Sequence, residues 1–335
     1  MFKSKSILVT GGTGSFGKAF VFNILKNFNF KKIIIFSRDE LKQYEMEKTI
    51  PSKFKRKVRF FIGDVRDLNR LKFAMKDVDI VIHAAALKQV ETSEYNPFEA
   101  VKTNVLGAQN VIESSLDSDI EKVLAISTDK ASAPINLYGA TKLVSDKLFI
   151  SANNYKGNRK ITFSVTRYGN VMGSRGSVIP HFLNQEKKGC IEVTHNEMTR
   201  FNITLEDAIT FVINNLKNMK GGEIFIPKLF SYNIMDLKNA ISKKCKVKFI
   251  GIRPGEKIHE ELISENESLN TLEYKDHYII YPNSPFNNLE FGKYKKIALK
   301  QGAKFTRNAF SYNSKDNKNF LDIKKLKKLI LNLNL

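Results

Sequence analysis

The sequence predicts an α/β protein with a doubly wound, mostly parallel sheet and a smaller, interleaved C-terminal lobe. Three observations lead to this class. Short apolar strands alternate with amphipathic helices through the first half of the chain, a glycine-rich turn directly follows the first strand, and the alternation loosens from about Ile179. Apolar strands separated by amphipathic helices are typical of a parallel sheet that helices cover on both faces.

The first half of the chain supplies five strands and the helices that follow them. The predicted strands cover residues 6–10, 32–36, 58–62, 79–83 and 122–126. The predicted helices cover residues 18–27, 40–48, 68–75, 97–115 and 137–149. A further strand is expected near 162–171, and the basic tail 318–335 has the apolar spacing of an amphipathic helix that packs on the protein. We assign residues 1–178 to a dinucleotide-binding domain to which later segments return, and residues 179–335 mainly to a substrate-binding lobe.

Composition and charge exclude several classes of function. The chain has 335 residues and a formal net charge of +21, but its lysines are spread along the sequence and no nucleic-acid-binding motif accompanies them. We therefore expect no nucleic-acid partner, and a positive field that favours anionic ligands such as dinucleotides and nucleotide-sugars. No signal peptide and no apolar run of membrane-spanning length occurs, so a cytoplasmic protein without a membrane partner is expected. Cys190 and Cys245 have no partners at metal-ligand spacing, which predicts no metal site.

A glycine-rich loop lies between the first strand and the first helix, with the spacing Gly-x-x-Gly-x-x-Gly. Glycines in this position permit a tight turn, let the backbone approach a pyrophosphate, and let the helix pack on the strand. The phosphates would lie at the helix N-terminus, where free N–H groups favour negative charge. This predicts a Rossmann-type dinucleotide-binding site. Its candidate residues in the loop are Gly11, Thr13, Gly14, Ser15, Phe16 and Gly17.

The residues after the second strand bear on the choice between NAD and NADP. An acidic residue there would hold the ribose 2′-hydroxyl, whereas an arginine accommodates a 2′-phosphate. Ser37 and Arg38 occupy the key positions and favour NADP, while Asp39 leaves NAD open and Arg38 could instead be a solvated charge. Lys42 is a further candidate for cofactor binding. Asp64 and Val65 are expected beside the adenine, and Ala84 and Ala86 beside the nicotinamide ribose.

Tyr138 and Lys142 follow the fifth strand and lie four residues apart on one face of a predicted helix. A neighbouring ammonium and an oxidised nicotinamide would lower the pKa of the Tyr138 phenol below its usual value of about 10, so that Tyr138 could act as a general base. Asp129 and Lys130 precede this pair, directly after Thr128, and add an acid and a base that a simple dehydrogenase does not need. An exposed ion pair at a helix entrance is the alternative for these two residues.

These motifs resemble the extended short-chain dehydrogenase/reductase family over essentially the whole chain. The glycine loop, Asp64, Asn104, the Ser127-Thr128 pair and the Tyr138/Lys142 pair lie where that family has them. A narrower resemblance is to the inverting UDP-N-acetylglucosamine 4,6-dehydratases. It is carried by residues 11–18, 37–42, 84–88, 127–131, 134–142, 167–171, 173–178 and 253–257.

The resemblance implies a mechanism that uses NADP. Tyr138 would take the 4-hydroxyl proton while the C4 hydride passes to NADP⁺. Lys130, as a neutral amine whose pKa is depressed by burial and by the cofactor's charge, would remove the C5 proton. Asp129 would protonate the departing 6-hydroxyl, and Thr128 and Lys142 complete the catalytic set. Return of the hydride to C6 and protonation of C5 from the opposite face give UDP-2-acetamido-2,6-dideoxy-β-L-arabino-hexos-4-ulose, the first step toward pseudaminic acid and flagellin glycosylation.

The same resemblance implies the remaining site residues and the assembly. Lys88, Asn104 and Val171 join the cofactor set. The substrate set is Lys88, Asn170, Arg175, Ser177, Val178, Arg200, Arg253 and Glu256. A homo-oligomer is expected, and the resemblance suggests a hexamer, because inverting members of the family are often hexameric. Two alternatives stay open: a dehydratase of a UDP-sugar that retains C5 or also epimerises, and a non-catalytic NADP-sensing or scaffold protein.

Overall fold

The structure, a computed structural model, describes residues 1–174, 176–281, 291–305 and 308–333. Within these ranges the central element is a ten-stranded sheet. Its first strands are β1 (Ser6–Thr10), β2 (Lys32–Ser37), β3 (Val58–Ile62), β4 (Ile80–His83), β5 (Lys122–Thr128) and β6 (Thr162–Tyr168). They pair in parallel in the order β3-β2-β1-β4-β5-β6, the strand order of dinucleotide-binding α/β folds. The predicted fold class is confirmed.

The helices between these strands follow the predicted pattern with two differences, an additional short helix over Val90–Tyr95 and an interruption of the helix predicted over 97–115. They are α1 (Ser15–Asn27), α2 (Glu40–Thr49), α3 (Leu68–Ala74), α4 (Val90–Tyr95), α5 (Pro97–Val101), α6 (Gly107–Leu116) and α7 (Leu137–Tyr155). The single helix predicted over 97–115 is interrupted, because Lys102–Leu106 form a wider π-helical turn. Asn104 lies in this turn and exchanges two hydrogen bonds with the backbone of Leu87, at 2.8 and 2.9 Å. The turn therefore fixes the loop that follows β4.

The second half of the chain adds strands to the sheet and builds smaller sheets beside it. Its elements are β7 (Asn170–Val171), α8 (Val178–Glu186), β8 (Cys190–Val193), β9 (Thr199–Ile203), α9 (Leu205–Asn218), β10 (Ile224–Pro227), β11 (Phe230–Asn233), α10 (Ile234–Ile241), β12 (Lys246–Phe249), β13 (Glu261–Ile263), α11 (Glu265–Ser268), β14 (Thr271–Glu273), β15 (His277–Ile280), α12 (Phe291–Lys300), β16 (Lys304–Phe305), β17 (Tyr312–Asn313) and α13 (Ile323–Leu331).

These later strands return to the main sheet. β10 pairs in parallel with β6, and β15, β14 and β16 follow in antiparallel order. The single strand expected near 162–171 is divided, because β7 leaves the main sheet and pairs with β9. Three small sheets, β11-β9-β7, β12-β8 and β13-β17, lie outside the main one. The domain boundary at residue 178 stays a prediction.

The described residues form three hydrophobic clusters, of which the two larger ones pack these layers together. The larger one surrounds the parallel strands, whose residues in β1 and β4 are all buried. The smaller one joins α8, α10 and α13, where the fully buried Leu326 packs with Leu237 of α10. The tail helix expected over 318–335 is α13, and residues 334–335 lie outside the described part. Among the described helices, none is both long and apolar enough to cross a bilayer.

A buried ionic network links the C-terminal segments to the sheet. Arg167 of β6 is fully buried and pairs with Asp146 of α7 at 3.3 Å and with Glu267 of α11 at 2.9 Å. Its Nη1 also donates to the carbonyl oxygen of Leu262 in β13, at 3.1 Å. Buried charges are costly unless they are paired. The Arg167 guanidinium therefore compensates the charges of both carboxylates in this position.

Replacing Arg167 tests this network. Arg167→Met leaves the fully buried Asp146 and the largely buried Glu267 without their common counter-ion, and we expect the free energy of unfolding to fall by about 3–5 kcal/mol in urea denaturation. Arg159→Met is the control, since Arg159 is exposed after α7 and its loss should change stability by less than about 0.5 kcal/mol. A loss no larger than the control's would contradict the account of the network.

Candidate active site

The candidate site is a cleft of about 1180 Å³ at the carboxyl ends of the parallel strands. Every predicted catalytic, cofactor and substrate residue lines this cleft except three. Asp129 and Asn104 lie buried directly behind its wall, and Arg175 lies outside the described residues. The fold thus brings together residues from the glycine loop, the strand ends and the small lobe, and their individual roles stay predictions.

The glycine loop leaves room for nothing but backbone at its tightest points. Gly11 has a φ of +64°, and a Cβ there would lie 2.9 Å from the carbonyl oxygen of Ala84. A Cβ on Gly17 would lie 2.5 Å from the carbonyl oxygen of Gly11. No side chain of the described residues caps α1 at Gly14, so the first N–H groups of the helix are available to an anion. The loop therefore fits a pyrophosphate.

Charged side chains gather at the ends of β2 and β3. Arg38 is half exposed at the rim, and its Nη1 lies 3.4 Å from Oδ2 of Asp64. Arg66, which sequence reasoning missed, donates to the same oxygen from Nη2 at 2.7 Å. Burial raises the pKa of Asp64, but the hydrogen bonds from Arg66 outweigh it and leave the pKa below its usual value. Two guanidinium groups therefore converge where the adenine end of a dinucleotide is predicted.

Asp39 plays a local structural role in this region. Its Oδ1 accepts a hydrogen bond from the backbone N–H of Lys42 at 2.9 Å and so caps α2. Its Oδ2 also pairs with the Lys42 ammonium. Beside it, the hydroxyls of Ser37 and Thr13 are hydrogen-bonded at 2.9 Å, which ties the end of β2 to the glycine loop. The carboxylate of Asp39 is thus engaged by the helix that it starts.

Tyr138 and Lys142 are buried side by side at the start of α7. The helix begins at Asn136, whose side chain accepts from the N–H of Gly139 at 2.8 Å. Nζ of Lys142 donates to the carbonyl oxygen of Ile126 at 2.9 Å, and burial lowers the pKa of this amine. Burial raises the pKa of Tyr138 to about 12, although Lys130 and the Thr128 hydroxyl lower it. The expected lowering of the Tyr138 pKa is wrong for the protein's own groups, because desolvation outweighs the nearby charge.

Asp129 and Lys130 form a buried ion pair directly after β5. Nζ of Lys130 lies 3.2 Å from Oδ1 of Asp129, which is fully buried, so the alternative of an exposed pair is wrong. The Thr128 hydroxyl donates to the same oxygen at 2.9 Å. Burial raises the pKa of Asp129. Burial lowers the pKa of Lys130, but the carboxylates of Asp129 and Glu260 raise it well above its usual value, so the predicted depression is wrong.

Glu260 is the main residue of the cleft that sequence reasoning missed. Its Oε1 lies 3.1 Å from Nζ of Lys130 and 3.6 Å from Nε of Arg200. It lies between two other ionisable residues, His259 and Glu261, in a segment without regular periodicity. That local sequence carries no signal that separates Glu260 from its neighbours, and only the fold brings it to Lys130.

The predicted substrate residues Arg200, Arg253 and Glu256 also line the cleft. Arg200 is mostly buried, and its Nη1 donates to the carbonyl oxygens of Thr199 and Ile258 at 2.7 and 3.0 Å. Its Nη2 lies 3.4 Å from Oε1 of Glu256. Arg253 lies at the exposed mouth. In the described part of the chain, no group of three or more His, Cys, Asp or Glu side chains could hold a metal ion.

The fold and the site define a dinucleotide-binding α/β enzyme with a buried acid-base pair beside a tyrosine and a lysine. Residues 7–282 match the family model described as polysaccharide biosynthesis protein, and the chain belongs to that family. It is 50% identical over 332 residues to the UDP-N-acetylglucosamine 4,6-dehydratase (inverting) of Campylobacter jejuni, covering 98% of each chain. The narrower resemblance predicted from the motifs is confirmed over this length.

One further relative and two solved structures are also similar to this chain. A Rickettsia bellii protein named UDP-glucose 4-epimerase is 42% identical, covering 99% of this chain and 97% of that one. The X-ray structure of Pen from Bacillus thuringiensis superposes with a TM-score of 0.88 at 40% identity, covering 99% of both chains. The dTDP-glucose 4,6-dehydratase DesIV of Streptomyces venezuelae, solved with NAD bound, has a TM-score of 0.67 at 22% identity, over 76% of this chain and 86% of that one, and shows the shared fold.

Proposed function

We propose that this protein is a UDP-N-acetylglucosamine 4,6-dehydratase that inverts C5, a hydro-lyase. One observation carries the proposal: Lys130 lines the same cleft as Tyr138 and Lys142, and the buried Asp129 pairs with it from directly behind the cleft wall. An oxidation site alone would need only the tyrosine and its lysine. An acid and a base added at this point suit the removal of water from a sugar that has first been oxidised. The 50% identity to the Campylobacter jejuni enzyme supports the same substrate and the same stereochemistry.

A nicotinamide dinucleotide fits the glycine loop and the strand ends. The backbone of Gly11–Gly17 would take the pyrophosphate, and Tyr138 and Lys142 would face the nicotinamide ribose. When bound, the nicotinamide supplies the hydride chemistry, removal from C4 and return to C6 of the sugar. NADP is supported over NAD because Arg38 lies at the rim, while the carboxylate of Asp39 is engaged in capping α2.

The chain's own groups can carry the proton transfers. Tyr138 takes the proton of the 4-hydroxyl as C4 is oxidised, and the new 4-keto group acidifies the C5 proton. Lys130 removes that proton as a neutral amine. One proton passed from Nζ of Lys130 to Oδ1 of Asp129, 3.2 Å away, would create this base and its partner acid together. Burial raises the pKa of Asp129, which favours the acid form that protonates the departing 6-hydroxyl. A proton then reaches C5 from the opposite face.

The alternatives predict different products. A C5-retaining dehydratase loses water but keeps the configuration, and an epimerase, the name carried by the Rickettsia relatives, loses no water. A non-catalytic protein has no reason to keep Asp129, Lys130, Tyr138 and Lys142 together in one cleft. A homo-oligomer, a cytoplasmic location and use of the product for pseudaminic acid stay predictions from the sequence.

Incubation with UDP-N-acetylglucosamine and NADP in D₂O, followed by NMR, separates these functions. We expect loss of water, deuterium at C5 and the inverted C5 configuration, because the C5 proton is exchanged with solvent-derived deuterium at the opposite face. Tyr138→Phe is the control, and it should abolish turnover since the ring remains but its acidic hydroxyl is lost. Product with C5 unchanged, or a sugar that retains its 6-hydroxyl, would overturn the proposal.

The preference for NADP rests on Arg38. Arg38→Ala should weaken NADP binding by about 10- to 100-fold, the value of a charged hydrogen bond to phosphate, and leave NAD binding nearly unchanged. Isothermal titration with each cofactor measures both effects. Arg59→Ala is the control, because Arg59 is exposed on β3 away from the cleft. An equal loss of affinity for NADP and NAD would mean that Arg38 does not recognise the 2′-phosphate.

A further inference from the structure

Glu260 is a buried carboxylate that lines the cleft but belongs to none of the motifs that define it. Its residue exposure is only 2%, and it immediately precedes β13. Its Oε1 faces Nζ of Lys130 at 3.1 Å and Nε of Arg200 at 3.6 Å. Its Oε2 is buried without a hydrogen-bond partner among the described residues. A carboxylate left in this position has to be compensated by the cations beside it.

The backbone of Glu260 is held in place from behind. Its N–H donates to Oγ of Ser314 at 2.9 Å, and its carbonyl oxygen accepts from the N–H of Ser314 at 2.8 Å. The Thr199 hydroxyl in β9 is hydrogen-bonded to the same Ser314 hydroxyl at 2.7 Å and to Nδ1 of His259 at 2.8 Å. Three segments distant in sequence therefore fix the point from which the Glu260 side chain extends.

The result is a lysine held from two sides. Nζ of Lys130 lies 3.2 Å from Asp129 and 3.1 Å from Glu260, and these carboxylates come from different halves of the chain. A lysine has a long, flexible side chain that a single partner leaves free to turn. Two buried carboxylates define one position for the ammonium. Asn170 adds a third contact, where Nζ donates to Oδ1 at 3.4 Å.

We propose that Glu260 is a positioning residue that holds the Lys130 ammonium beside Asp129 in the cleft through this buried ion pair. The inference rests on the proposed function only for the role of Lys130 as the base that removes the C5 proton of the substrate. Glu260 acts through Lys130 and is assigned no contact with the sugar.

A carboxylate in this position also stabilises the charged form of the amine. Glu260 and Asp129 raise the pKa of Lys130, whereas Arg200 and burial lower it. The charged and titratable groups that surround this pair are Asp129, Lys88, Arg200, Tyr138, Tyr232 and Lys257. Removing the charge of Glu260 leaves Asp129 as the sole carboxylate on this amine among the groups named, so the amine should lose its proton at lower pH.

The pH at which the Lys130 amine becomes reactive tests this directly, without substrate. Acylation of the full-length protein is followed from neutral to alkaline pH, and the peptide that contains Lys130 is quantified by mass spectrometry. We expect Glu260→Gln to lower the midpoint of the acylation curve by about one pH unit or more, which is about a tenfold gain in acylation below the midpoint. The midpoint reports the amine's proton affinity even if the variant changes access to it.

Two further variants make the result specific. Glu261→Gln should leave the midpoint unchanged, because the neighbouring Glu261 accepts from the Ser311 hydroxyl at 2.7 Å and does not contact Lys130. Glu260→Asp withdraws the carboxylate by one methylene, and a smaller shift in the same direction is expected. This variant keeps the buried charge and provides the test if Glu260→Gln does not fold.

A midpoint that stays at the wild-type value or rises in a folded Glu260 variant would overturn the positioning role. That result is separate from the proposed function, since acylation needs no sugar and no turnover. Conversely, the wild-type protein could fail to dehydrate UDP-N-acetylglucosamine while Glu260→Gln still lowers the midpoint. That pair of results would overturn the proposed function and would support the positioning of Lys130 by Glu260.

Discussion

A lysine ammonium buried between two carboxylates at the end of β5 is the interaction on which the rest of the site depends. Transfer of Asp129 and Glu260 out of water is costly, and their contacts with Lys130 at 3.2 and 3.1 Å offset that cost. Such a cluster contributes little net stability compared with apolar packing. What it provides is a set of ionisable groups at fixed positions near Tyr138, which the proposed function uses as proton donor and proton acceptor.

The surrounding structure holds this cluster through contacts between the two halves of the chain. Arg167 joins β6 to α7 and α11 beneath the site, and Ser314 holds the segment that carries Glu260. The C-terminal segments therefore complete the catalytic edge as well as extending the sheet. Tyr138 and Lys142 come from the part of the chain that forms the parallel sheet. Glu260, which pairs with Lys130, comes from the second half of the chain.

The features that the sequence predicted well are local in the chain. The strands β1, β2, β4 and β5 each contain a continuous apolar run, the glycine loop follows β1 directly, and Tyr138 and Lys142 need only one turn of helix to lie together. Glu260 was missed because only long-range folding brings it to Lys130. Arg66 follows Asp64 by two residues, so its ion pair with Asp64 is local, but no motif in the sequence singled it out. The lowered pKa values expected for Tyr138 and Lys130 depended partly on the charge of a bound cofactor. The chain's own groups raise both pKa values, through burial of Tyr138 and through the carboxylates of Asp129 and Glu260 beside Lys130.

Removal of the Lys130 amine tests most directly whether the Asp129–Lys130 pair is required for the elimination of water from the oxidised sugar. Lys130→Met keeps the apolar stem and loses the base, whereas Lys147→Met removes an exposed lysine on α7 as the control. After incubation with UDP-N-acetylglucosamine in D₂O, Lys130→Met should show NADP binding equal to wild type by calorimetry, no deuterium at C5 and no loss of water. Water loss and C5 deuteration at the rate of the Lys147→Met control would contradict the account.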